Sequence, residues 1–544
     1  MGVLYFGDNL NILRENIKDE SVDLIYLDPP FNSKRDYNVF LKTPKGHESD
    51  AQITAFDDTW HWGEQAEREF SELLHHSNTD VAEMIQSLRR FLKENDMMAY
   101  LVMMANRLVE LQRVLKSSGS LYLHCDPTAS HYLKIVLDTV FGAENFRNEI
   151  TWKRRHGFSS AVHVSNRYGN CTDTILFYAK SDEAGFAPQY NRDTKEYQEY
   201  VDKFFTLLDE NGRKYQATSL TNPAYRPNLI YEYKGYKPPA NGWMITKEKM
   251  EQWDKEGRIH FPKDKNGRLR RKSFADELKG MPIQNLWDDI EQLGAHDAER
   301  LGYPTQKPLA LLERVIQASS KTGDIVLDPF CGCGTTVHAA QNLGRDWIGI
   351  DITHLAISLI EKRMKDAFPN ITFGIHGTPK DLGGARNLAE RDKYQFQWWA
   401  CSLVNAQPYQ GKKKGADSGI DGIIFFQDDE KSAKKIIVSV KGGESVTRTM
   451  IADLKNTVER EKAEIGLFVT LAEPTKPMIT EAASAGFYES PHMGAFPKIQ
   501  ILTIDDLLSG REKPKYPDFS RGGLSFKKAK VEQQRAGQNK LEGL

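Results

Sequence analysis

Two runs of β-forming residues, far apart in the chain, each end in an aspartate that is followed by a tight loop. Residues 22–27 lead into Asp28-Pro29-Pro30-Phe31, and residues 325–327 lead into Asp328-Pro329-Phe330 and the glycine-containing segment 331–336. In open α/β sheets, ligands bind beyond the carboxyl ends of the parallel strands. The pair therefore predicts an α/β fold in which one loop serves a nucleoside and the other a flat, amino-bearing substrate.

The chain has 544 residues, too many for one hydrophobic core, so we expect two or three domains. Its N-terminus lacks a basic stretch followed by a long apolar segment. We therefore expect neither a signal peptide nor a membrane span. These expectations favour a cytoplasmic protein. Five scattered cysteines make a disulfide framework unexpected.

The net charge of −2 conceals an asymmetry along the chain. Residues 1–150 carry an excess of acidic side chains, whereas residues 151–280 carry an excess of basic ones. A basic excess favours a polyanionic partner, although it often only solvates a surface. The middle of the chain is thus the predicted docking region for a polyanion.

The segment 325–351 has the pattern of a nucleotide-binding βαβ unit. Gly332 and Gly334 permit a tight turn, and Thr335 opens a helix whose N-terminal amides face the ligand. The next strand ends at Asp351, about 20 residues on, where a carboxylate accepts hydrogen bonds from ribose hydroxyls. An ordinary strand–helix turn is the alternative, and the pair Cys331 and Cys333 is better read as loop residues than as metal ligands.

The tetrad Asp28-Pro29-Pro30-Phe31 suits an exocyclic amine on a nucleobase. Such a nitrogen is a poor nucleophile because its lone pair is delocalised into the ring. A carboxylate and a backbone carbonyl that accept its N–H bonds would stabilise the charge that develops on it. The prolines stiffen the loop, and Phe31 offers a face on which a flipped base can stack. In isolation, the tetrad could equally be a proline-rich turn.

Together, these motifs resemble the amino-group DNA methyltransferases that use S-adenosylmethionine. The similarity covers about residues 1–380, and its order is that of the circularly permuted β subgroup. The residues that carry it are Phe6-Gly7-Asp8-Asn9, the Asp28–Phe31 tetrad, Tyr303-Pro304-Thr305-Gln306-Lys307-Pro308, the Asp328–Thr336 loop and Asp351. The resemblance implies a Rossmann-like S-adenosylmethionine-dependent methyltransferase sheet, circularly permuted, with an inserted target-recognition region.

The resemblance also implies roles for individual residues. Asp8 would lie close to the cofactor, and Lys307 would hold either the methionine end of the cofactor or the DNA. The reaction would be direct methyl transfer to a base amine without a covalent base adduct, which agrees with the absence of a Pro-Cys dipeptide. An Asp-Pro-Pro tetrad favours adenine N6, with cytosine N4 as the alternative, although Phe31 stands where tyrosine is commoner.

The segment boundaries follow from these assignments. We predict a catalytic part at 1–150, a target-recognition region at 151–300, a cofactor-binding part at 301–380, a second α/β domain at 390–510 and a disordered tail at 511–544. Four arginines of the recognition region could contact the phosphates or guanine edges of double-stranded DNA, or they could merely solvate a loop. They are Arg154, Arg155, Arg270 and Arg271. His124 and Asp126 lie at the end of a short predicted strand and could face the same cleft. The alternative is that they are merely polar residues of a loop.

Residues 415–443 place Asp421 before a strand and Lys441 at the end of the next one. This pattern resembles the Mrr-like restriction endonuclease domains of the PD-(D/E)xK fold, in which a Mg²⁺ ion activates water. Ser439 departs from that family, which carries Glu or Gln two residues before the lysine. The resemblance therefore implies a nuclease-like domain whose metal site, at Asp421 with Lys441, is in doubt. The alternatives are a degenerate DNA-binding module and a structural appendage.

Three functions compete at this point. A site-specific DNA methyltransferase with an appended nuclease-like domain has the most support. A combined modification and metal-dependent cleaving enzyme is the second, and a non-catalytic DNA-binding protein is the third. The expected partners are double-stranded DNA and either a second copy of the chain or a separate restriction subunit.

Overall fold

The computed structural model describes residues 2–30, 61–154, 170–294, 297–301, 303, 305–409, 419–426 and 434–517, together with the backbone of 36–42 and 48–57. Phe31, Arg155 and the predicted tail from residue 518 onward lie outside the described residues. Residues 188–284 form one compact unit, and the rest of the chain forms the other.

The N-terminal part alternates strands with helices. The predicted helices of 64–116 are three in number, and the last of them is buried almost all round. The elements in chain order are β1 (Gly2–Phe6), α1 (Asn9–Asn16), β2 (Val22–Leu27), β3 (Asp36–Lys42), β4 (Glu48–Asp57), α2 (Glu64–Leu74), α3 (Thr79–Leu92), α4 (Asp96–Val114), β5 (Leu115–Cys125), α5 (Ser130–Phe141), β6 (Phe146–Lys153) and β7 (Thr172–Ala179).

The unit 188–284 is built around a small antiparallel sheet in the order β11-β12-β10-β9. Its core is largely aromatic, with Trp243 fully buried between Tyr233 and Tyr236. The elements are β8 (Tyr190–Asn191), α6 (Lys195–Phe204), β9 (Leu207–Leu208), β10 (Lys214–Ser219), α7 (Lys247–Lys255), β11 (Ile259–His260), β12 (Arg270–Phe274) and β13 (Met281–Pro282).

Strand–helix alternation resumes after this unit, as the sequence predicts. The pattern of apolar residues predicts a strand at 346–351 and a helix at 354–367, and both are found with those bounds. The neighbouring elements, predicted at 308–321, 324–328 and 335–343, differ by one or two residues at their ends. The elements are β14 (Leu286–Trp287), α8 (Leu309–Ser319), β15 (Ile325–Asp328), α9 (Thr335–Asn342), β16 (Asp346–Asp351), α10 (His354–Ala367) and β17 (Phe373–His376).

A nine-stranded sheet joins the two chain segments that flank the smaller unit. Its order is β14-β6-β7-β5-β2-β15-β16-β1-β17, and the six strands from β5 to β17 are parallel. Asp28, Asp328 and Asp351 therefore stand at the carboxyl ends of three adjacent strands, about 4.8 Å apart from strand to strand. The prediction that the two turns share one edge of a sheet is confirmed. Strands β7 and β14 belong to this sheet although they lie within 151–300, and β6 crosses the boundary at residue 151.

The C-terminal part is a second α/β layer with a five-stranded sheet in the order β18-β19-β20-β21-β24. Buried apolar residues such as Ile437, Ile451 and Phe468 form its core. The elements are α11 (Leu382–Arg391), α12 (Lys393–Leu403), β18 (Gln407–Pro408), β19 (Gly422–Phe426), β20 (Lys434–Lys441), α13 (Arg448–Arg460), β21 (Ile465–Thr470), α14 (Lys476–Ser484), β22 (Phe487–Ser490), β23 (Gly494–Pro497), β24 (Ile499–Thr503) and α15 (Ile504–Ser509).

Two further properties concern the chain as a whole. All five cysteines are free thiols, and four of them are buried. Within the described residues, none of the helices combines the length and the apolar character that crossing a membrane demands.

Candidate functional site

A cavity of about 1050 Å³ opens where the parallel strands of the large sheet end. This volume is at the upper end of what small-molecule sites occupy. Most of the residues singled out from the sequence line it, namely Asp8, Asp28, Pro29, Pro30, Lys307, Asp328, Pro329, Phe330, Gly332, Thr335 and Asp351. The structure thus brings the early proline turn and the late glycine turn together around one space.

Asp28 is the least satisfied acid of this cavity. Its Oδ2 accepts a hydrogen bond from the ammonium group of Lys307, whereas its Oδ1 is buried and has no hydrogen-bond partner among the described residues. A buried acceptor without a donor costs about 1–3 kcal/mol. An N–H group entering the cavity would relieve that cost. Lys307, for which the sequence left cofactor and DNA open, is thus placed on the carboxylate of Asp28.

The glycine turn after β15 is held by Asp328. Its Oδ1 accepts the backbone N–H of Phe330 at 3.0 Å. Gly332 and Gly334 both adopt positive φ angles, of 49° and 75°. A Cβ atom on Gly332 would lie 3.2 Å from the ring of Tyr303, and Gly334, which is the N-cap of α9, does not itself line the cavity. The turn therefore needs glycine for both its backbone conformation and its close packing.

Asp351 organises the loop that follows β16. Its Oδ2 accepts the N–H of Gly332 at 2.9 Å, and its Oδ1 accepts the N–H and the hydroxyl of Thr353, both at 2.9 Å. Burial raises the pKa of Asp351 to about 6 and the pKa of Asp328 to about 7. Donor groups of a ligand would favour the ionised forms, because hydrogen bonds to a carboxylate lower its pKa.

Asp8 is connected to the glycine turn through Arg107, which the sequence did not single out, and through Asn9. Its Oδ1 caps α1 by accepting the N–H of Leu10, and its Oδ2 lies 3.0 Å from the guanidinium of Arg107. Arg107 also donates to Oδ1 of Asn9, and the Asn9 amide donates to the carbonyl of Pro329 at 2.8 Å. An arginine within the apolar stripe of α4 was the signal available for Arg107.

A chain of hydrogen-bonded, buried polar side chains links β2, the strand before Asp28, to β5 and β7. The hydroxyl of Tyr26, which lines the cavity, lies 2.8 Å from Nδ1 of His124, and the other ring nitrogen of His124 lies 3.2 Å from Asp173. Burial opposes the ionisation of Asp173, but the hydrogen bond and charge of His124 bring its pKa below the usual value. His124 is fully buried, and neither it nor Asp126 lines the cavity. His124 therefore supports β2 through its contact with the hydroxyl of Tyr26 and does not itself line the cavity.

The arginines predicted for DNA lie in three different settings. Arg154 directly follows β6 and pairs with the buried Asp173, at 3.2 Å, while Arg155 lies outside the described residues. Arg270 and Arg271 are exposed on β12 of the unit 188–284. Arg271 lies over the ring of Trp253 at 4.7 Å. Arg270 and Arg271 are thus placed on a surface, whereas Arg154 is engaged within its own unit.

In the C-terminal part, Asp421 is engaged on both oxygens. Its Oδ1 accepts the side-chain amide of Gln397 at 2.9 Å, and its Oδ2 accepts the N–H of Val440 at 2.6 Å. Ser439 is buried at the position where a nuclease would carry a third polar ligand. In the part of the chain that the structure describes, no cluster of three His, Cys, Asp or Glu side chains is arranged to hold a metal ion.

Comparisons with known families agree with the geometry of both parts. Residues 22–362 match the N6/N4 family described as DNA methylase, which is more than half of the chain. Residues 401–509 match a family described as NACHT-associated inactive restriction endonuclease. The C-terminal part is therefore restriction-endonuclease-like, as the sequence predicts.

Named relatives point in the same direction. The type II methyltransferase M.EcaI of Enterobacter cloacae is 34% identical over 268 residues, which is 49% of this chain and 57% of that protein. The type III restriction-modification enzyme StyLTI Mod subunit of Salmonella typhimurium is 28% identical over 357 residues, or 62% of this chain and 50% of that protein. The chain thus spans about half the length of the curated relatives it matches.

Among solved structures, the PvuII DNA methyltransferase, described as cytosine-N4-specific, is 13% identical. The match covers 68% of this chain and 89% of that one, with a TM-score of 0.32. Similarity this low neither supports nor opposes an assignment.

Proposed function

Since the chain belongs to the N6/N4 DNA methylase family, we propose that it methylates DNA site-specifically, transferring a methyl group from S-adenosylmethionine to the exocyclic amine of a flipped base. We propose adenine N6 as the target, with cytosine N4 as the alternative. The observation that chiefly supports this is the buried, unpartnered Oδ1 of Asp28, a residue that lines the same cavity as Asp328 and Asp351. An acceptor without a donor fits a substrate that brings N–H bonds.

The proposed chemistry needs alignment and charge stabilisation only. When bound, S-adenosylmethionine supplies the sulfonium methyl group. Asp28 Oδ1 would accept one N–H bond of the base amine while Lys307 holds Oδ2, so that the carboxylate stays fixed as positive charge develops on the nitrogen. Pro29 and Pro30 keep this turn rigid, and Phe31 is the proposed stacking face for the base.

The cofactor would be held by the edge of the sheet next to Asp28. We assign Asp351 to the ribose hydroxyls, as its position at the end of β16 suggests. Asp328, Pro329 and Phe330 form the turn beside it, and Gly332 and Gly334 let the backbone approach closely. Thr335 opens α9, whose N-terminus faces the cavity. Asp8 is assigned to the same cofactor, and Lys307 to the boundary between cofactor and base.

Double-stranded DNA is the proposed partner. Recognition would fall to the middle of the chain, with Arg270 and Arg271 on exposed strand β12 as phosphate or base contacts, and with Arg154 and Arg155 as further candidates. One relative is named as the Mod subunit of a type III enzyme. By analogy we propose a separate restriction subunit as a further partner, with a homodimer as the alternative.

For the C-terminal domain we propose a nuclease-like fold that does not cleave DNA. Both oxygens of Asp421 already accept hydrogen bonds, Ser439 replaces a ligand, and the matched family is described as inactive. The alternative, a combined modification and cleavage enzyme, requires Mg²⁺ at Asp421 with Lys441. Mg²⁺-dependent nicking of plasmid DNA that disappears in Asp421→Ala would establish the alternative.

The test of the methyltransferase proposal is sequencing of plasmid DNA from expressing cells by a method that reports modified bases. We expect one recurring motif carrying N6-methyladenine in the wild type and no modification in Asp28→Ala. N4-methylcytosine in its place would decide for the alternative base. A wild-type chain that leaves the plasmid unmodified and gives no heat with S-adenosylmethionine in calorimetry would favour the non-catalytic DNA-binding protein instead.

A further inference from the structure

Helix α12 of the C-terminal part forms one wall of the cofactor cavity. Gln395 and Trp398 line the cavity, together with Arg391 and Asp392 just before the helix. The side-chain oxygen of Gln395 accepts the backbone N–H of His354 at 3.3 Å. Because His354 is the first residue of α10, this bond fixes the loop that leaves Asp351.

The same wall packs against the glycine turn. Trp398 contacts a buried cluster that includes Tyr303 and Cys333, and that cluster continues to Leu355 and Leu359 of α10. Tyr303 is also the side chain that would meet a Cβ atom on Gly332. The wall is therefore continuous with the turn that approaches the cofactor.

A second face of α12 is held by the nuclease-like motif. Gln397 donates to Oδ1 of Asp421, and the thiol of Cys401 lies 3.5 Å from the carbonyl of Asp421. Phe396 is so close to Gly442 that a Cβ atom there would lie 2.9 Å from its ring. Asp421 begins the motif and Gly442 directly follows Lys441, the residue at its other end, so both ends of the motif contact the helix that borders the cavity.

The position of α12 along the sheet decides which part of the cofactor it can meet. Its bond to His354 places it beside the loop that follows β16, and β16 lies two strands, or about 10 Å, from β2, the strand that Asp28 follows. Ile352, on the loop that Gln395 secures, is 55% exposed and lines the same cavity. Trp398 and Ile352 give this end of the cavity an apolar surface that suits a flat base.

From these contacts we propose that α12 forms the wall for the nucleoside half of S-adenosylmethionine, and that Asp421 is a positioning residue that holds the wall in place. The carboxylate that would bind a metal in a nuclease thus serves cofactor binding in the methyltransferase. This inference rests on the proposed function, because it presumes that the cavity binds S-adenosylmethionine. Neither α12 nor Asp421 takes part in the transfer step.

The first test is calorimetry of the full chain with S-adenosylmethionine. Loss of an aromatic contact to a base lowers affinity by about tenfold, so we expect Trp398→Ala to raise Kd by about that factor. Tyr394→Ala is the matched control, since Tyr394 lies one turn earlier on α12, is 67% exposed and does not line the cavity. Equal affinity in wild type and Trp398→Ala would overturn the inference.

The role of Asp421 requires a readout that lost stability alone does not give. We expect Asp421→Asn and Gln397→Leu to raise KM for S-adenosylmethionine several-fold, while kcat at saturating cofactor stays at the wild-type level. An effect on kcat with unchanged KM would contradict a positioning role at the nucleoside end. So would no effect on either constant.

Hydrogen exchange of the wild-type chain keeps the test independent of any variant that fails to fold. Added S-adenosylmethionine should slow amide exchange both in 328–336 and in α12. Protection of 328–336 without protection of α12 would overturn this inference and leave the proposed function standing. Protection of neither segment would count against the proposed function itself.

Discussion

Two carboxylates of this chain each stand next to one end of a strand, yet their surroundings differ. Asp28 follows a parallel strand, opens into a large cavity and leaves one buried oxygen without a donor. Asp421 precedes a strand of the nuclease-like sheet, and both of its oxygens accept hydrogen bonds from the protein. Sequence motifs singled out both residues, but only the first retains the capacity to bind something else.

The difference shows how a binding site can become a structural contact while its motif remains. Replacing a metal or substrate by internal donors satisfies a buried acid and stabilises the fold. Leaving an acceptor open costs stability and is typical of functional sites. Each of the following changes tests that distinction, in order of decreasing effect.

The largest effect should come from Asp28→Asn. Losing the carboxylate charge removes stabilisation at the reacting nitrogen, and a single such group is worth about 10²–10³-fold in kcat. We expect a loss of at least that size in methyl transfer, measured with radiolabelled S-adenosylmethionine, and an unchanged Kd for the cofactor. A variant with wild-type turnover would remove the basis for the distinction.

Asp421→Ala should act on stability instead. The substitution leaves the N–H of Val440 and the amide of Gln397 without their acceptor, at a cost of about 1–3 kcal/mol. Urea denaturation measures this cost, and Asp28→Asn is the control, with little or no loss expected. If Asp28→Asn is the more destabilising change, Asp28 is a structural acid and the comparison fails.

The pH dependence of stability sharpens the comparison at the cofactor side. Burial raises the pKa of Asp328 to about 7, so the folded chain binds a proton more tightly than the unfolded chain does. Stability should therefore rise as the pH falls from about 7 towards 4, by up to about 1.4 kcal/mol per pH unit for this group. Thermal melts of the cofactor-free chain at about pH 8 and pH 6 measure the gain.

Asp328→Asn is the control for that measurement, and its gain on acidification should be smaller. Cofactor affinity should change in the opposite direction, because the pKa of Asp351, raised by burial to about 6, makes its carboxylate neutral below that pH. Equal gains in wild type and Asp328→Asn would show that the buried acid is not responsible.

The smallest effect concerns the arginines. Arg271→Ala, on the exposed face of β12, should weaken DNA binding a few-fold and reduce the salt dependence of binding by about one unit of slope. Arg154→Ala removes the partner of buried Asp173 and should mainly lower the melting temperature. Fluorescence anisotropy at several salt concentrations separates the two cases. Unchanged DNA affinity in Arg271→Ala would exclude that surface.

Local patterns were sufficient to predict much of the fold. The spacing of apolar residues and the turn residues predict the observed bounds of β16 and α10. The acids at the strand ends predict that Asp28 and Asp328 share a cavity. The contacts between remote segments could not be read in that way. The bond from Asn9 to Pro329 and the ion pair of Lys307 with Asp28 each join residues about 300 positions apart. No periodicity records such pairings.

The contribution of α12 to the cavity wall could not be predicted from the sequence, for the same reason. Its residues fall within the second α/β domain predicted at 390–510, but which face of the helix meets the cavity depends on how β18–β20 and α10 pack against it. The engaged state of Asp421 was equally invisible, since Gln397 is an ordinary helix residue in the sequence. The substitution at Ser439 was the one local sign that the nuclease motif had changed.

A crystal structure of the full chain with S-adenosylmethionine tests most directly whether the two turns enclose one site. We expect the cofactor in the cavity between the proline turn and the glycine turn, with its ribose hydroxyls on Asp351 and its methyl group directed towards Asp28. Cofactor bound at another place, or bound in the cavity with its methyl group directed away from Asp28, would contradict the assignment.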